Sequence, residues 1–345
     1  MEVNTIKNKK ILIIGGAGFI GHNLAIEIKN KGGDVYIIDS LEVNNLTSVI
    51  NNSNNLPFPE LSHYVLMERL RLLKENNIPL IVQDARNYHA LSHEFTKIKP
   101  EVVIHLAAVS HANRSNKDPH TTFDHSLRTL ENALDASKNI VKHFIYFSSS
   151  MVYGNFESNQ VNEKTVCEPL GIYGALKFSG EKMVIAYNQV FDLPYTIIRP
   201  SALYGERCIS RRVGQIFIEN ALYNKQIKIN GDGSDKLDFT YIKDLVDGII
   251  SVVKNKKSKN EIFNLTYGGA MPISGLINIL SDYFPNLEIE KIPKDKLMPE
   301  RGTLSNKKIN DLLDFKSSWP LEKGYRKYIE WYLNMFEENK KLFIV

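Results

Sequence analysis

Cysteine is scarce in this 345-residue chain: Cys167 and Cys208 are the only two. One pair cannot build the disulfide framework of a small secreted scaffold, and its spacing matches no metal-ligand pattern. Long apolar runs are missing too; nothing approaches the ~18 residues of a membrane-spanning helix. The opening MEVNTIKNKKILIIGG reaches glycines too early for the apolar core of a signal peptide, so a cytoplasmic protein is expected. Neither sign of charge dominates. The 43 basic and 39 acidic residues leave +4, spread along the chain with no basic stripe interleaved with aromatics. Neither nucleic acid nor membrane is expected as a partner, whereas acidic small molecules suit that balance. With 43% hydrophobic and 24% charged residues, the composition is that of a globular protein and excludes disorder.

What the chain does have is rhythm. Short apolar runs at 11–14, 35–38, 80–82, 102–106, 143–147 and 195–198 alternate with helical spacing at 19–30, 88–97, 122–138 and 172–190. Buried strands alternating with amphipathic helices predict an α/β fold, a doubly wound parallel sheet covered on both faces. Residues 41–78 interrupt the alternation. Asn51 to Asn55 reads as a loop, and 61–75, with Leu66, Leu70 and Leu73 at helical spacing, as one surface helix carried on an insertion. Beyond about residue 204 the order turns irregular, with a turn at Gly231-Asp232-Gly233 and helices expected at 242–253, 274–284 and 321–338. Two parts follow: a sheet domain over 1–200, and an α+β lobe over 201–345 interleaved with the end of the sheet.

The first strand runs into Gly15-Gly16-Ala17-Gly18-Phe19-Ile20-Gly21 and then a helix. Gly15 permits a tight turn, Gly18 lets backbone approach a pyrophosphate, and Gly21 lets the helix pack close to the strand. The helix N-terminus offers free N–H groups and a positive dipole. Asp39 ends the next strand where a ribose-binding acid belongs. A carboxylate there accepts from ribose hydroxyls and repels a 2′-phosphate, and 40–43 supplies no cation to hold one, which favours NAD over NADP. Asp84, after the third strand, suits either contact with the adenine or a helix N-cap.

Tyr173 and Lys177 stand four apart on one helix face. A phenol with a pKa near ~10 is a poor base at neutral pH, and a nearby ammonium favours its phenolate. Ser148-Ser149-Ser150 ends the strand at 143–147, outside the carboxyl edge where parallel sheets bind ligands. Ser149 is placed to share a hydroxyl's proton with Tyr173.

GGAGFIG (15–21), Asp39, QDARN (83–87), HLAAVSHANRSNKDP (105–119), SSSMVYG (148–154), YGALK (173–177), RPSALYGER (199–207), INGDGSDKLDFTYIKDLVDG (229–248) and PERGTLSNKKI (299–309) together resemble the extended short-chain dehydrogenase/reductases. Within that group the resemblance is to the NAD-dependent nucleotide-sugar epimerase/dehydratase family. It implies a Rossmann-type NAD-binding domain at 1–200 and a nucleotide-sugar-binding lobe at 201–345. It assigns Gly15, Gly18, Phe19, Ile20 and Gly21 to the pyrophosphate loop. Asp39, Asp84, Ala85, Leu106, Ala107, Ala108, Tyr173, Lys177 and Pro200 complete the cofactor site, with Arg199 near the nicotinamide. Tyr173 is implied as the base at the sugar 4-hydroxyl, with Ser149 and Lys177 as its catalytic partners. Substrate contacts fall to Ser110, His111, Ser149, Ser150, Lys236 and Arg301, and Arg114 beside His111 also suits the sugar.

Departures narrow the reaction. Family dehydratases carry Asp-Glu where this chain has Ser150-Met151, and decarboxylases carry Glu at the second position. Neither side chain present is a useful acid or base, which leaves 4-epimerisation. The alternative is 4-oxidation with release of the 4-keto sugar and NADH; a 4,6-dehydratase or a non-catalytic NAD-binding regulator fits less well. Ala202 and Leu237 replace an asparagine and an arginine of the family, with Lys236 as a substitute cation. His125 reads as a hydrogen-bonded core histidine. A homodimer is expected through 122–138 and 172–190, using Leu127, Leu130, Leu134, Met183 and Val184. No resident metal is expected.

Overall fold

The computed structural model describes residues 5–43, 45–50, 56–110, 112–294 and 299–343. Seven strands form one parallel sheet: β1 (Lys10–Ile14), β2 (Asp34–Asp39), β3 (Leu80–Val82), β4 (Val102–His105), β5 (His143–Phe147), β6 (Tyr195–Arg199) and β7 (Glu261–Asn264). Their order across the sheet is β7-β6-β5-β4-β1-β2-β3. Six of them are the apolar runs read from the sequence. The seventh offers only Ile262 and Phe263 between polar ends, too short a signal to stand out.

The strands are apolar throughout because both faces are buried. Ile11, Ile13, Val35, Ile37, Val102 and Ile104 point to one layer, Leu12, Ile14, Ile38 and Val103 to the other. Helices α1 (Phe19–Asn30) and α2 (Pro59–Glu75), with the helix Ile242–Lys254, cover the first face. Helices α3 (Tyr88–Ile98), α4 (Thr129–Ser137) and α5 (Gly171–Phe191) cover the second. The remaining helices Val213–Leu222, Ile273–Ser281 and Leu321–Glu338 gather around Tyr204, Phe217, Tyr241, Tyr325, Tyr328 and Tyr332, beside a two-stranded pair of Ile227–Asn230 with Ile289–Ile292.

Three expectations change. First, α2 lies at the surface on one side only, with Glu60, His63, Met67 and Arg71 exposed. Its stripe Leu61, Ser62, Val65, Leu66, Arg69 and Leu73 is buried. It lies against α1, and Tyr64 accepts from Asn339 Nδ2 (3.1 Å) and meets Phe343 edge-on. The sequence stripe looked thin because one of its buried positions is an arginine. Second, the helix expected over 122–138 is broken into Pro119–Phe123, a wide π-type turn at Asp124–Arg128, and α4. Third, Leu127, Leu130, Leu134 and Val184 pack inside one protomer beneath the sheet, so they are not available to a subunit contact; Met183 is half-buried beside them.

The strand order reverses between β1 and β4. The connections leaving them run to opposite faces of the sheet and open a crevice at their carboxyl ends. Ile14 of β1 pairs with His105 of β4, so Gly15 and Leu106 emerge side by side.

Candidate active site

The two loops meet closely. Leu106 N–H and Ala107 N–H both donate to the Ile14 carbonyl, at 2.8 and 3.1 Å. Gly15 has φ +80°, and a Cβ there would stand 2.7 Å from the Ala107 nitrogen. Only glycine meets both conditions. At Gly21 an added Cβ would fall 2.5 Å from the Gly16 Cα, so α1 can seat against the turn only without a side chain. Helix α1 starts from Gly18 with no side-chain cap and no acid in its first turn. Its free N–H groups and positive dipole end therefore face a cleft of about 930 Å³, part of it open to solvent. Gly15, Gly18, Phe19, Ile20, Gly21, Asp39, Asp84, Ala85, Leu106, Ala107, Ala108 and Ser110 all line it. A cradle of backbone N–H groups beside a carboxylate fits a dinucleotide: the diphosphate at the helix end, ribose hydroxyls at Asp39.

Asp39 serves the fold as well. Its two oxygens accept from Ala17 N–H (2.9 Å) and Leu41 N–H (2.8 Å). Burial pushes its pKa up, against those N–H groups and the charge of Arg69. Asp84 is not the helix cap; Asn87 is, accepting from Ala90 N–H at 3.1 Å. Asp84 accepts instead from Arg86, whose Nε stands 2.8 Å from Oδ2. Burial pushes the Asp84 carboxyl up, but Arg86 outweighs it and holds the group below its ordinary range. Arg86 also pairs with Glu42 at 3.0 Å, and Glu42 lies 3.8 Å from His125 Nε2. His125, carried on the π-type turn, thus lines the cleft rather than the core. Burial keeps its pKa low.

Across the crevice, β5 ends in Ser148-Ser149-Ser150. Ser149 is buried and its Oγ caps the short turn Ser150–Tyr153, accepting from Met151 N–H at 3.2 Å. Ser150 N–H donates to the Pro200 carbonyl at 2.9 Å, tying this end to that of β6. Lys177 reaches from α5 under the same strand end: its ammonium donates to the Phe147 carbonyl (2.7 Å) and lies over the Tyr146 ring. Burial pushes the Lys177 pKa down to about 8, with Glu181 opposing. Tyr173, one turn before, is half-buried and belongs to none of the apolar clusters among the described residues. Its neighbour Gly174 touches the turn so closely that a Cβ would come 2.8 Å from the Met151 carbonyl. Arg301 closes the arrangement. Nη1 donates to Ser150 Oγ at 3.1 Å, and Nη2 rests against Met151 Sδ. Burial lowers its pKa to about 10; Tyr173 lies near enough to raise it and Arg212 near enough to lower it further.

Arg199, expected near the nicotinamide, is engaged beneath the serines. It grips Glu181 with Nε at 2.9 Å and Nη2 at 2.6 Å, and its Nη1 donates to Tyr153 Oη at 2.9 Å. Ser148 Oγ donates to the same carboxylate at 2.5 Å. The sequence places Glu181 four residues after Lys177, on its helix face, but does not show its pairing with Arg199. Arg69 and Arg212 also line the cleft without having been anticipated. Arg114 is half-buried with Nη1 unpartnered among the described residues. Lys236 is exposed, on a short strand paired with Met271–Pro272, and is not among the residues that line the cleft. His111 lies outside the described residues.

Comparison with known proteins adds the following. The profile of the NAD dependent epimerase/dehydratase family matches residues 11–266. The uncharacterized UDP-glucose epimerase YtcB of Bacillus subtilis is 32% identical over 286 residues, covering 79% of this chain and 81% of that protein. dTDP-glucose 4,6-dehydratase 1 of Escherichia coli is 27% identical over 94% of this chain and 93% of its own length. The crystal structure of UDP-glucuronic acid 4-epimerase from Bacillus cereus, in complex with UDP-glucuronic acid and NAD, superposes with a TM-score of 0.84 at 27% identity, covering 94% of this chain and 99% of that one. The cradle, the Rossmann-type sheet and these likenesses agree: the chain is an NAD-using enzyme of nucleotide-sugar chemistry and belongs to the NAD-dependent epimerase/dehydratase family.

Proposed function

We propose that the protein is a nucleotide-sugar 4-epimerase. The observation that carries this reading is the turn after Ser149. Ser150 and Met151 face Arg301, and neither side chain supplies the carboxyl acid or base that eliminating water or carbon dioxide requires. Inverting C4 asks for less: one base for the 4-hydroxyl, and room for the ring to turn over.

Tyr173 is the proposed base, removing the 4-hydroxyl proton and later returning it. Ser149 holds the same oxygen. Lys177, fixed on the Phe147 carbonyl, supplies a buried positive charge one helical turn away that favours the phenolate. Arg301 pairs with the substrate diphosphate, and Ser110 and Ser150 contact the sugar. The N-terminus of α1 and Asp39 would hold NAD, which would supply a reversible hydride acceptor for C4. The lobe beyond residue 200 carries the substrate, and the protein works as a homodimer. The similarity to the YtcB epimerase and to the Bacillus cereus 4-epimerase supports this reading.

The test is incubation with UDP-, GDP-, CDP- and dTDP-sugars, with products read by NMR and NADH by absorbance. A 4-epimer forming without net NADH is expected. Stoichiometric NADH would instead identify a 4-dehydrogenase, and a 4-keto-6-deoxy product a dehydratase.

A further inference from the structure

The cleft contains a cation that no described residue meets in an ion pair. Arg69 is almost fully buried, 1% exposed, on the inner face of α2. It forms no ion pair with any described residue. Nε donates to the Arg207 carbonyl at 2.9 Å, Nη2 donates to the same oxygen, and Nη1 has no hydrogen-bond partner among the described residues. The backbone is shaped for this grip: Arg207 has φ +62°, and its own side chain is held by His22, Asn23 and Glu68. The carboxylate whose charge it feels is Asp39, whose oxygens already accept two backbone N–H groups.

A guanidinium so buried is costly unless an anion completes it. Arg69 lines the same cleft as Gly18, Phe19, Ile20 and Asp39. From the geometry we infer that Arg69 binds the diphosphate of the dinucleotide beside the N-terminus of α1, so that the 41–78 insertion is part of the cofactor site. A 2′-phosphate is the poorer candidate, since it would stand against the Asp39 carboxylate. The sugar-nucleotide diphosphate has Arg301, on the far side by Ser150. The inference depends on NAD as cofactor and not on the reaction at C4; a dehydratase or dehydrogenase would show the same behaviour.

The experiment uses the full chain freed of nucleotide, with Arg69→Gln and Arg69→Lys, and titrates NAD, NADP, ADP-ribose and adenosine at two ionic strengths. R69Q should weaken NAD and ADP-ribose about 10- to 100-fold, leave adenosine unchanged, and flatten the salt dependence of NAD binding. R69K, which keeps the charge but not the fork, should lose less for the same two ligands. Equal losses for adenosine and ADP-ribose would reduce Arg69 to a structural role. A loss confined to NADP would assign it to a 2′-phosphate, and no loss at all would sink the contact. If R69Q fails to fold, as judged by its melting curve, R69K decides by the ratio of its ADP-ribose and adenosine losses.

Discussion

At the scale of single residues the chemistry turns on how α5 presents Tyr173 and Lys177. Tyr173→Phe should keep its fold and bound NAD while losing roughly 10²- to 10⁴-fold in turnover, the usual worth of a positioned acid–base group. Parallel melting curves, NAD content and turnover would check this, and unchanged turnover would remove Tyr173 as the base. Lys177 allows a pH test that needs no substrate. Its folded pKa is about 8, against ~10.4 in an unfolded chain. Between those values the unfolded state binds the extra proton, so the contribution of Lys177 to stability rises with pH. Relative to Lys177→Met, the wild-type protein without nucleotide should gain about 3 kcal/mol from pH 7 to above 10. Denaturant curves at several pH values would measure it, and a flat difference would contradict a buried, strained ammonium. The pairing of phenol and ammonium was legible because a spacing of four has one meaning on a helix. Arg69 was not, because an isolated arginine among leucines reads as solvent-facing until a neighbouring carbonyl is seen to hold it.

Among the elements, the β5, β6 and α5 ends are joined by Glu181 and Arg199 under Ser148, Ser149 and Ser150. Glu181→Ala would leave the Arg199 guanidinium buried without its counter-charge and Ser148 Oγ without its acceptor. A loss of about 3–5 kcal/mol is expected, read by urea unfolding. A cost below ~1 kcal/mol would mean that solvent already reaches the pair. Helix α1 was legible from its period of 3.6, and six strands from short apolar runs bounded by turn residues. The break at 124–128 was not, since the residues there keep helical spacing while the backbone widens by one residue per turn. Ala202 shows a related limit. It occupies φ +32°, a conformation asparagine tolerates better than alanine. Nothing in the local sequence marks it.

For the whole molecule, the cleft couples parts far apart in the chain: the glycine turn, Arg69 of the insertion helix, the loop that follows β4, and Leu203, Ser210 and Arg212 all line it. Nucleotide bound there should stabilise the entire protein by mass action, about 2.7 kcal/mol at a hundredfold excess over its Kd. A melting series with added NAD would show a concentration-dependent rise, and Asp39→Ala should reduce it; a Tm insensitive to NAD would argue against an intact site. The sequence by itself determined the fold class, the glycine turn, the acid that ends the second strand and the spacing of phenol and ammonium. Those depend on local periodicity, on glycine's freedom and on helix geometry, which act over a few residues. Only the tertiary structure decided which faces are buried and which charges are shared. It turned an apparent surface helix inward, gave Glu181 to Arg199, and set an arginine from an insertion beside the glycine turn. Burial and the company of charges depend on chain segments remote in sequence, and these meet only once the core has packed.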